Sequence, residues 1–300
     1  MKTYDLIIIG AGPAGISAGI YAKNFGLDCL IIGENVGGLI NSAYKVENYP
    51  GIFNITGKEL SDKFEEHRKH LDISLRKERV EKIKKEEFFE IKTDVGDYRA
   101  KSITLTLGTE TKKLEIKNIE KFEGKGVSYC SGDCVLIFEN KIVAIIGGAN
   151  AAVMGATMLA EKAKKVYLIY RKDKLRADAI WTERIEKIKN VEIIYNANVI
   201  EAKGGDWLEE IVLDNGKSLK VDGLIIEAGG APNTDLIKSL GIKTNEYGYI
   251  EVDRNQATNI EGVFAAGDIT TGSNNFRQII TACSEGAIAA LGALNYLNKK

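Results

Sequence analysis

Twice in this chain a short apolar run stops at a cluster of small residues and passes directly into helical sequence. The first passage is Leu6-Ile7-Ile8-Ile9 followed by Gly10-Ala11-Gly12-Pro13-Ala14-Gly15. The second is Lys141 to Ile146 followed by Gly147-Gly148-Ala149-Asn150-Ala151-Ala152. Such a run suits a strand buried on both faces of a parallel sheet. The glycines permit a tight turn, and the next helix offers its positive end to phosphate. The two loops begin 137 residues apart. Their recurrence predicts an α/β chain with two doubly wound dinucleotide-binding domains.

Each unit continues to a second strand. In the first, a helix over Ala14 to Phe25 leads to a strand over Asp28 to Ile32. In the second, a helix ending near Lys164 leads to a strand over Val166 to Tyr170. The intervening segments alternate as antiparallel strands do: Leu75 to Val80, Phe88 to Thr93 and Asp97 to Leu105 in one set, then Val191 to Asn196, Val199 to Lys203 and Leu208 to Leu213 in the other. Asn215-Gly216 marks a hairpin turn. Each domain is therefore expected to carry an inserted antiparallel β-meander. Boundaries are expected near Glu115 and Lys243, giving one discontinuous domain of residues 1–115 with 243–300 and a second of 116–242.

The chain has 300 residues, 44% hydrophobic and 28% charged, with a formal net charge of −1. That is the balance of a globular protein, and it speaks against nucleic acid as a partner. Two histidines, His67 and His70, offer no third ligand for a metal and read as a solvated helix face. Four scattered cysteines are too few for a disulfide framework and point to a reducing, cytoplasmic setting. The uncharged stretch Leu6 to Ala22 is too short and too rich in glycine for a membrane span or a signal peptide. No membrane role is expected.

In the first loop, Gly10 serves the turn, Gly12 the approach of backbone to a pyrophosphate, and Gly15 the packing of helix on strand. The acid expected after the second strand is displaced: Gly33 stands there, and Glu34 follows as the candidate ribose ligand. Further on, Gly262-Val263-Phe264-Ala265-Ala266-Gly267-Asp268 reads as a strand ending in Gly-Asp. Asp268 is either a hydrogen-bond acceptor for a cofactor hydroxyl or a helix N-cap.

GAGPAG at 10–15, VENYPG at 46–51, GVSYC at 126–130, GGAPNT at 229–234 and GVFAAGD followed by FRQ at 262–278 stand in order over nearly the whole chain. In this the sequence resembles the low-molecular-weight, bacterial and archaeal type of thioredoxin reductase. The resemblance implies FAD in the outer domain, NADPH in the central domain, a redox disulfide, rotation of the central domain, a thioredoxin-like partner and a homodimer. The implied FAD residues are Gly10, Gly12, Pro13, Ala14, Gly15, the loop Gly33 to Leu39 with Glu34 and Gly38, Asn48, Val80, Gly108, Gly267, Asp268, Arg277 and Gln278. Leu39 departs from the family, which has Gln in its place, and so removes a polar contact on the flavin side.

The second loop departs further. Ala149 replaces a glycine that admits the pyrophosphate, and Ala151 replaces a serine. Gly147, Gly148, Ala149, Asn150 and Ala151 are the candidate contacts. Tyr170 stands where an acid would bind a ribose 2′-hydroxyl. The segment after it, Arg171-Lys172-Asp173-Lys174-Leu175-Arg176, resembles the family's basic motif. Arg171, Lys172 and Arg176 could clamp a 2′-phosphate. This favours NADPH over NADH and leaves open another donor, such as ferredoxin.

The family's Cys-x-x-Cys-Asp reads here Cys130-Ser131-Gly132-Asp133-Cys134: the second cysteine and the acid have exchanged places. On a helix, residues four apart have Cα atoms about 6 Å apart, inside the roughly 4.4–6.8 Å range of disulfides. A Cys130–Cys134 bridge is geometrically permitted, and two ordinary thiols remain the alternative. Asp133 is the candidate acid for the leaving thiolate. Cys29 and Cys283 read as core.

The reading is a flavoprotein disulfide oxidoreductase passing electrons from NADPH through FAD and Cys130–Cys134 to a thioredoxin-like protein. Its rivals are a flavin enzyme without a working disulfide and a non-enzymatic flavin redox sensor. The chain ends soon after its last helix, so an extension covering the flavin, as the first rival would need, is not expected.

Overall fold

The computed structural model describes residues 2–111, 113–129, 137–232 and 235–299. The chain divides into two compact units. One comprises Met1–Asn41, Val46–Glu110 and Ala231–Lys300, the other Ser42–Lys45 and Thr111–Gly230.

The first unit begins with β1 (Thr3–Ile9), α1 (Pro13–Asn24), β2 (Cys29–Ile32), α2 (Gly57–His70), β3 (Ser74–Arg76), β4 (Val80–Lys85), β5 (Phe89–Thr93) and β6 (Asp97–Leu105). The chain leaves it through β7 (Glu110–Thr111). The second unit holds β8 (Val127–Ser128), β9 (Ile142–Ile146), α3 (Asn150–Ala160), β10 (Lys165–Tyr170), α4 (Ala179–Ile185), β11 (Val191–Tyr195), β12 (Val199–Lys203), β13 (Glu210–Leu213), β14 (Ser218–Lys220) and β15 (Gly223–Ile226). The chain returns through β16 (Gly230–Ala231) to α5 (Asp235–Lys238), β17 (Val263–Ala265) and α6 (Ile279–Leu297).

In the first unit β3, β2, β1 and β6 lie side by side and parallel. The exit half of β6 pairs in parallel with β17, and its entry half pairs with the antiparallel β5–β4 meander. Strand pleating sends Ile7 and Ile9 of β1 into one core, shared with the meander and Ile237 and Ile242. Leu6 and Ile8 enter another, shared with α1 and α6. Burial on both faces is why β1 carries no polar alternation. Helix α6 is long and apolar enough to cross a membrane by length and composition alone. Its small-residue face packs on α1: a Cβ on Gly286 would meet the Ala14 carbonyl oxygen at 2.1 Å.

The second unit repeats the plan. Parallel strands run in the order β11-β10-β9-β15-β8, and β12-β13-β14 form a separate antiparallel meander. Val143 and Ile145 face α3 and α4, while Ala144 packs toward the meander. Gly216, with φ of +83°, closes the expected hairpin between β13 and β14.

Two expectations need correction. The segment around Leu75 is the parallel strand β3, and Val191–Tyr195 is the parallel strand β11, so neither belongs to a meander. Each follows a helical crossover, α2 or α4, which returns the chain parallel to the preceding strand. The crossings between units lie at 110–111 and 230–231, whereas the sequence pattern places them near Glu115 and near Lys243. The second differs because Ile237 and Ile242 are buried in the first unit's core.

Candidate nucleotide-binding sites

In the first unit β1 delivers the chain to Gly10, whose φ of +118° a side chain rarely adopts. Its N–H donates to the Ile32 carbonyl at 2.7 Å. A Cβ on Gly15 would lie 2.0 Å from the Gly10 carbonyl oxygen and 2.8 Å from Thr106 Oγ1. Gly15 therefore seats α1 against the strand end, as its place in the motif implied. Gly12 differs: a Cβ there would meet only the Gly37 carbonyl oxygen, at 4.0 Å. Gly12 is the N-cap of α1 without a side-chain cap, and Pro13 opens the helix. The positive end of α1 is thus left accessible beside Gly12, which suits a pyrophosphate.

Among the other candidates of this unit, the segment from Gly33 to Gly38 and Gly267 lie against that loop. Gly37 donates to the Ala11 carbonyl at 2.8 Å, folding the Gly33–Leu39 segment over it, and Gly38 approaches Gly12. A Cβ on Gly267 would lie 3.0 Å from Ala14 Cβ. Asn48 donates to Gln278 Oε1 at 2.9 Å. Arg277 donates through Nε to the Asp268 carbonyl oxygen at 3.2 Å and lies 3.9 Å over the Tyr249 ring. Among the described residues the Asp268 carboxylate accepts no hydrogen bond. Burial pushes its carboxyl above the usual carboxylate range; Arg277 opposes the shift and Glu285 adds to it. An unsatisfied acid beside an open helix N-terminus fits a cofactor that brings both hydroxyls and phosphates. Val80 is buried, Gly108 has a φ of +65° with open space around it, and Glu34 and Leu39 are exposed.

Two buried carboxylates escaped the sequence reading. Glu78 accepts from Thr93 Oγ1 at 2.7 Å and from the Tyr98 hydroxyl, next to Val80. Glu285 accepts from the Gly267 N–H at 2.8 Å. A signal existed for the second: Glu285 is the lone charge in α6.

In the second unit Gly147 has a φ of +148°, and a Cβ there would meet the Glu227 carbonyl oxygen at 2.5 Å. Gly148 is buried under the Tyr170 ring, whose atoms would lie 2.4 Å from a Cβ. The Arg176 N–H donates to the Gly148 carbonyl at 2.6 Å. Asn150 and Asp178 pair reciprocally, Nδ2 to Oδ2 at 2.9 Å and the Asp178 N–H to Oδ1 at 2.8 Å. The basic turn is thus folded onto the glycine loop, with Ala149 as the N-cap of α3 and Ala151 exposed. Arg171, Lys172 and Arg176 are exposed and form no ion pair among the described residues. Unpaired cations close to a helix N-terminus suit a phosphorylated nucleotide.

Cys130, Asp133 and Cys134 lie outside the described residues. The described cysteines, Cys29 and Cys283, are free. Burial pushes each thiol up to about 11, which keeps them protonated and unreactive at neutral pH. Among the described residues no group of three or more His, Cys, Asp or Glu could hold a metal.

Two glycine loops at the carboxyl ends of parallel strands, each opening a helix, define a two-nucleotide oxidoreductase fold. Comparison with known proteins agrees. The chain belongs to the pyridine nucleotide-disulphide oxidoreductase family, whose profile matches residues 4–286, and within it to the thioredoxin reductases. It is 38% identical to a 34.2 kDa protein in the rubredoxin operon of Clostridium pasteurianum, over 100% of this chain and 99% of that one. It is 36% identical to thioredoxin reductase of Bacillus subtilis (strain 168), over 99% of this chain and 96% of that one. The crystal structure of Lactococcus lactis thioredoxin reductase superposes with a TM-score of 0.95 at 34% identity, covering 99% of this chain and 100% of that one.

Proposed function

We propose that this protein reduces the disulfide of a thioredoxin-like partner with electrons from NADPH, using FAD in the first unit and the pair Cys130–Cys134. When bound, FAD links two-electron donation by a reduced pyridine nucleotide to reduction of a disulfide. The chain supplies placement. Gly12 and the N-terminus of α1 receive the flavin nucleotide's pyrophosphate, and Asp268 accepts a cofactor hydroxyl. Arg171, Lys172 and Arg176 hold the 2′-phosphate of NADPH, which favours NADPH over NADH. Cys130 and Cys134 exchange electrons with the partner disulfide, and Asp133 serves the leaving thiolate as acid.

The observation that carries this reading is the half-buried Asp268 beside the open end of α1, whose carboxylate accepts no hydrogen bond among the described residues. A carboxylate shielded on one side and free of protein donors on the other is placed to accept from a ligand hydroxyl. The protein acts in the cytoplasm as a homodimer; the exposed Ile280, Ile288 and Leu291 of α6 offer an apolar face to a second copy.

Anaerobic titration with NADPH and with NADH, followed by flavin bleaching, tests the donor. Coupled insulin reduction with thioredoxin tests the acceptor. Bleaching by NADPH at lower concentration than by NADH, with insulin reduced, is expected. No bleaching by either nucleotide, with reduced ferredoxin effective, would transfer the donor role to ferredoxin.

A further inference from the structure

Glu285 is 4% exposed. It is the lone charge in a helix of small and apolar residues, where burial of a carboxylate is costly. Its oxygens are satisfied by a single loop. Oε2 accepts from the Gly267 N–H at 2.8 Å and stands 3.0 Å from Thr270 Oγ1. Oε1 accepts from Ser273 Oγ at 2.6 Å. A Cβ on Gly272 would lie 2.5 Å from Oε1, so the loop is pressed onto the carboxylate.

That loop is strained at its far end. Ser273, Asn274 and Asn275 carry φ of 48°, 52° and 61°. Three successive non-glycine residues in the left-handed region persist only where surrounding contacts hold them. Glu285 grips both the start of the loop and its strained end. Asp268 lies between these attachments, next to the residue whose N–H is held.

Resting on the proposed flavin site, we infer that Glu285 is a positioning residue for the flavin cofactor: by pinning the loop 267–273 it holds Asp268 ready to accept a cofactor hydroxyl. Glu285 itself touches no cofactor in this scheme. It acts through Asp268, and the two residues are coupled.

The test is a double-mutant cycle on FAD affinity, measured by quenching of flavin fluorescence on titration into apoprotein. The forms are wild type, Glu285→Gln, Asp268→Asn and the double variant. Glu285→Gln is expected to raise the FAD Kd about tenfold, equivalent to one hydrogen bond to a charged group. In the Asp268→Asn background the same change is expected to raise it less than about twofold. Equal effects in both backgrounds, or no effect in wild type, would overturn the inference; a purely structural role predicts the former. If Glu285→Gln does not fold, Thr270→Val takes its place in the cycle with the same expected coupling and the same refuting result. Failure of the flavin-site reading would look different: wild type itself would not bind FAD.

Discussion

Gly12 and Gly15 belong to one motif, yet the structure assigns them separate work, and alanine at each separates the two. In Gly15→Ala the new methyl lies 2.0 Å from the Gly10 carbonyl oxygen, against about 3.5 Å for ordinary contact. That neighbour is backbone, so α1 must move. Overpacking costs about 1–3 kcal/mol, and a backbone obstacle puts this change near about 3 kcal/mol. At about 2–4 °C per kcal/mol for a unit of this size, the apoprotein should melt about 6–12 °C lower. In Gly12→Ala the methyl meets nothing nearer than 4.0 Å, and the φ of −80° suits alanine. The roughly 0.5–1 kcal/mol lost on exchanging glycine for alanine at the N-cap is offset by a gain of about the same size from reduced unfolded-state entropy. The apoprotein should therefore melt within about 2 °C of wild type. The methyl instead enters the space proposed for the pyrophosphate and should raise the FAD Kd at least about tenfold. Thermal unfolding of apoprotein and fluorescence titration with FAD read the two effects. If Gly12→Ala destabilised the apoprotein as much as Gly15→Ala, or left FAD binding intact, the division of labour would be refuted.

Three further outcomes follow from the same geometry. Replacing Arg171 and Arg176 together by alanine should raise the KM for NADPH about tenfold or more and leave that for NADH within about twofold; equal effects on both would remove the 2′-phosphate assignment. The Asp268 carboxyl is raised above its unfolded value of 3.8, so the unfolded chain ionises first and the apoprotein loses stability as pH rises through the folded pKa. Asp268→Asn should lessen that loss and weaken FAD binding, and an unchanged pH dependence of apoprotein melting would contradict it. With both buried thiols raised to about 11, alkylation of the reduced native protein near neutral pH should label Cys130 and Cys134 and spare Cys29 and Cys283, as peptide mapping would show.

The parts of the fold legible in the sequence were those with a local cause. The run at Leu6–Ile9, the glycines after it and the helical spacing beyond fix a strand, turn and helix without reference to the rest of the chain. Strand direction has no such local cause. Leu75 and Val191 lie in short apolar runs that read alike whether the partner is parallel or antiparallel; the helices before them decide. In the same way, Gly262 to Asp268 announced a strand ending at an acid, while the grip of Glu285 on that loop depends on α6 packing beside it. The Asn150–Asp178 pair joins residues 28 apart, and nothing in either neighbourhood announces it. In sequence Tyr170 shows only that an acid is missing at that position, whereas in the fold its ring covers Gly148.

The central claim is that electrons entering at the nucleotide sites leave through Cys130 and Cys134. Counting thiols in the anaerobic holoenzyme before and after stoichiometric NADPH, with alkylated positions mapped, tests it most directly. A pair of new thiols at Cys130 and Cys134, absent from Cys130→Ser, is the predicted result. Bleaching of the flavin with no change in thiol count would contradict it.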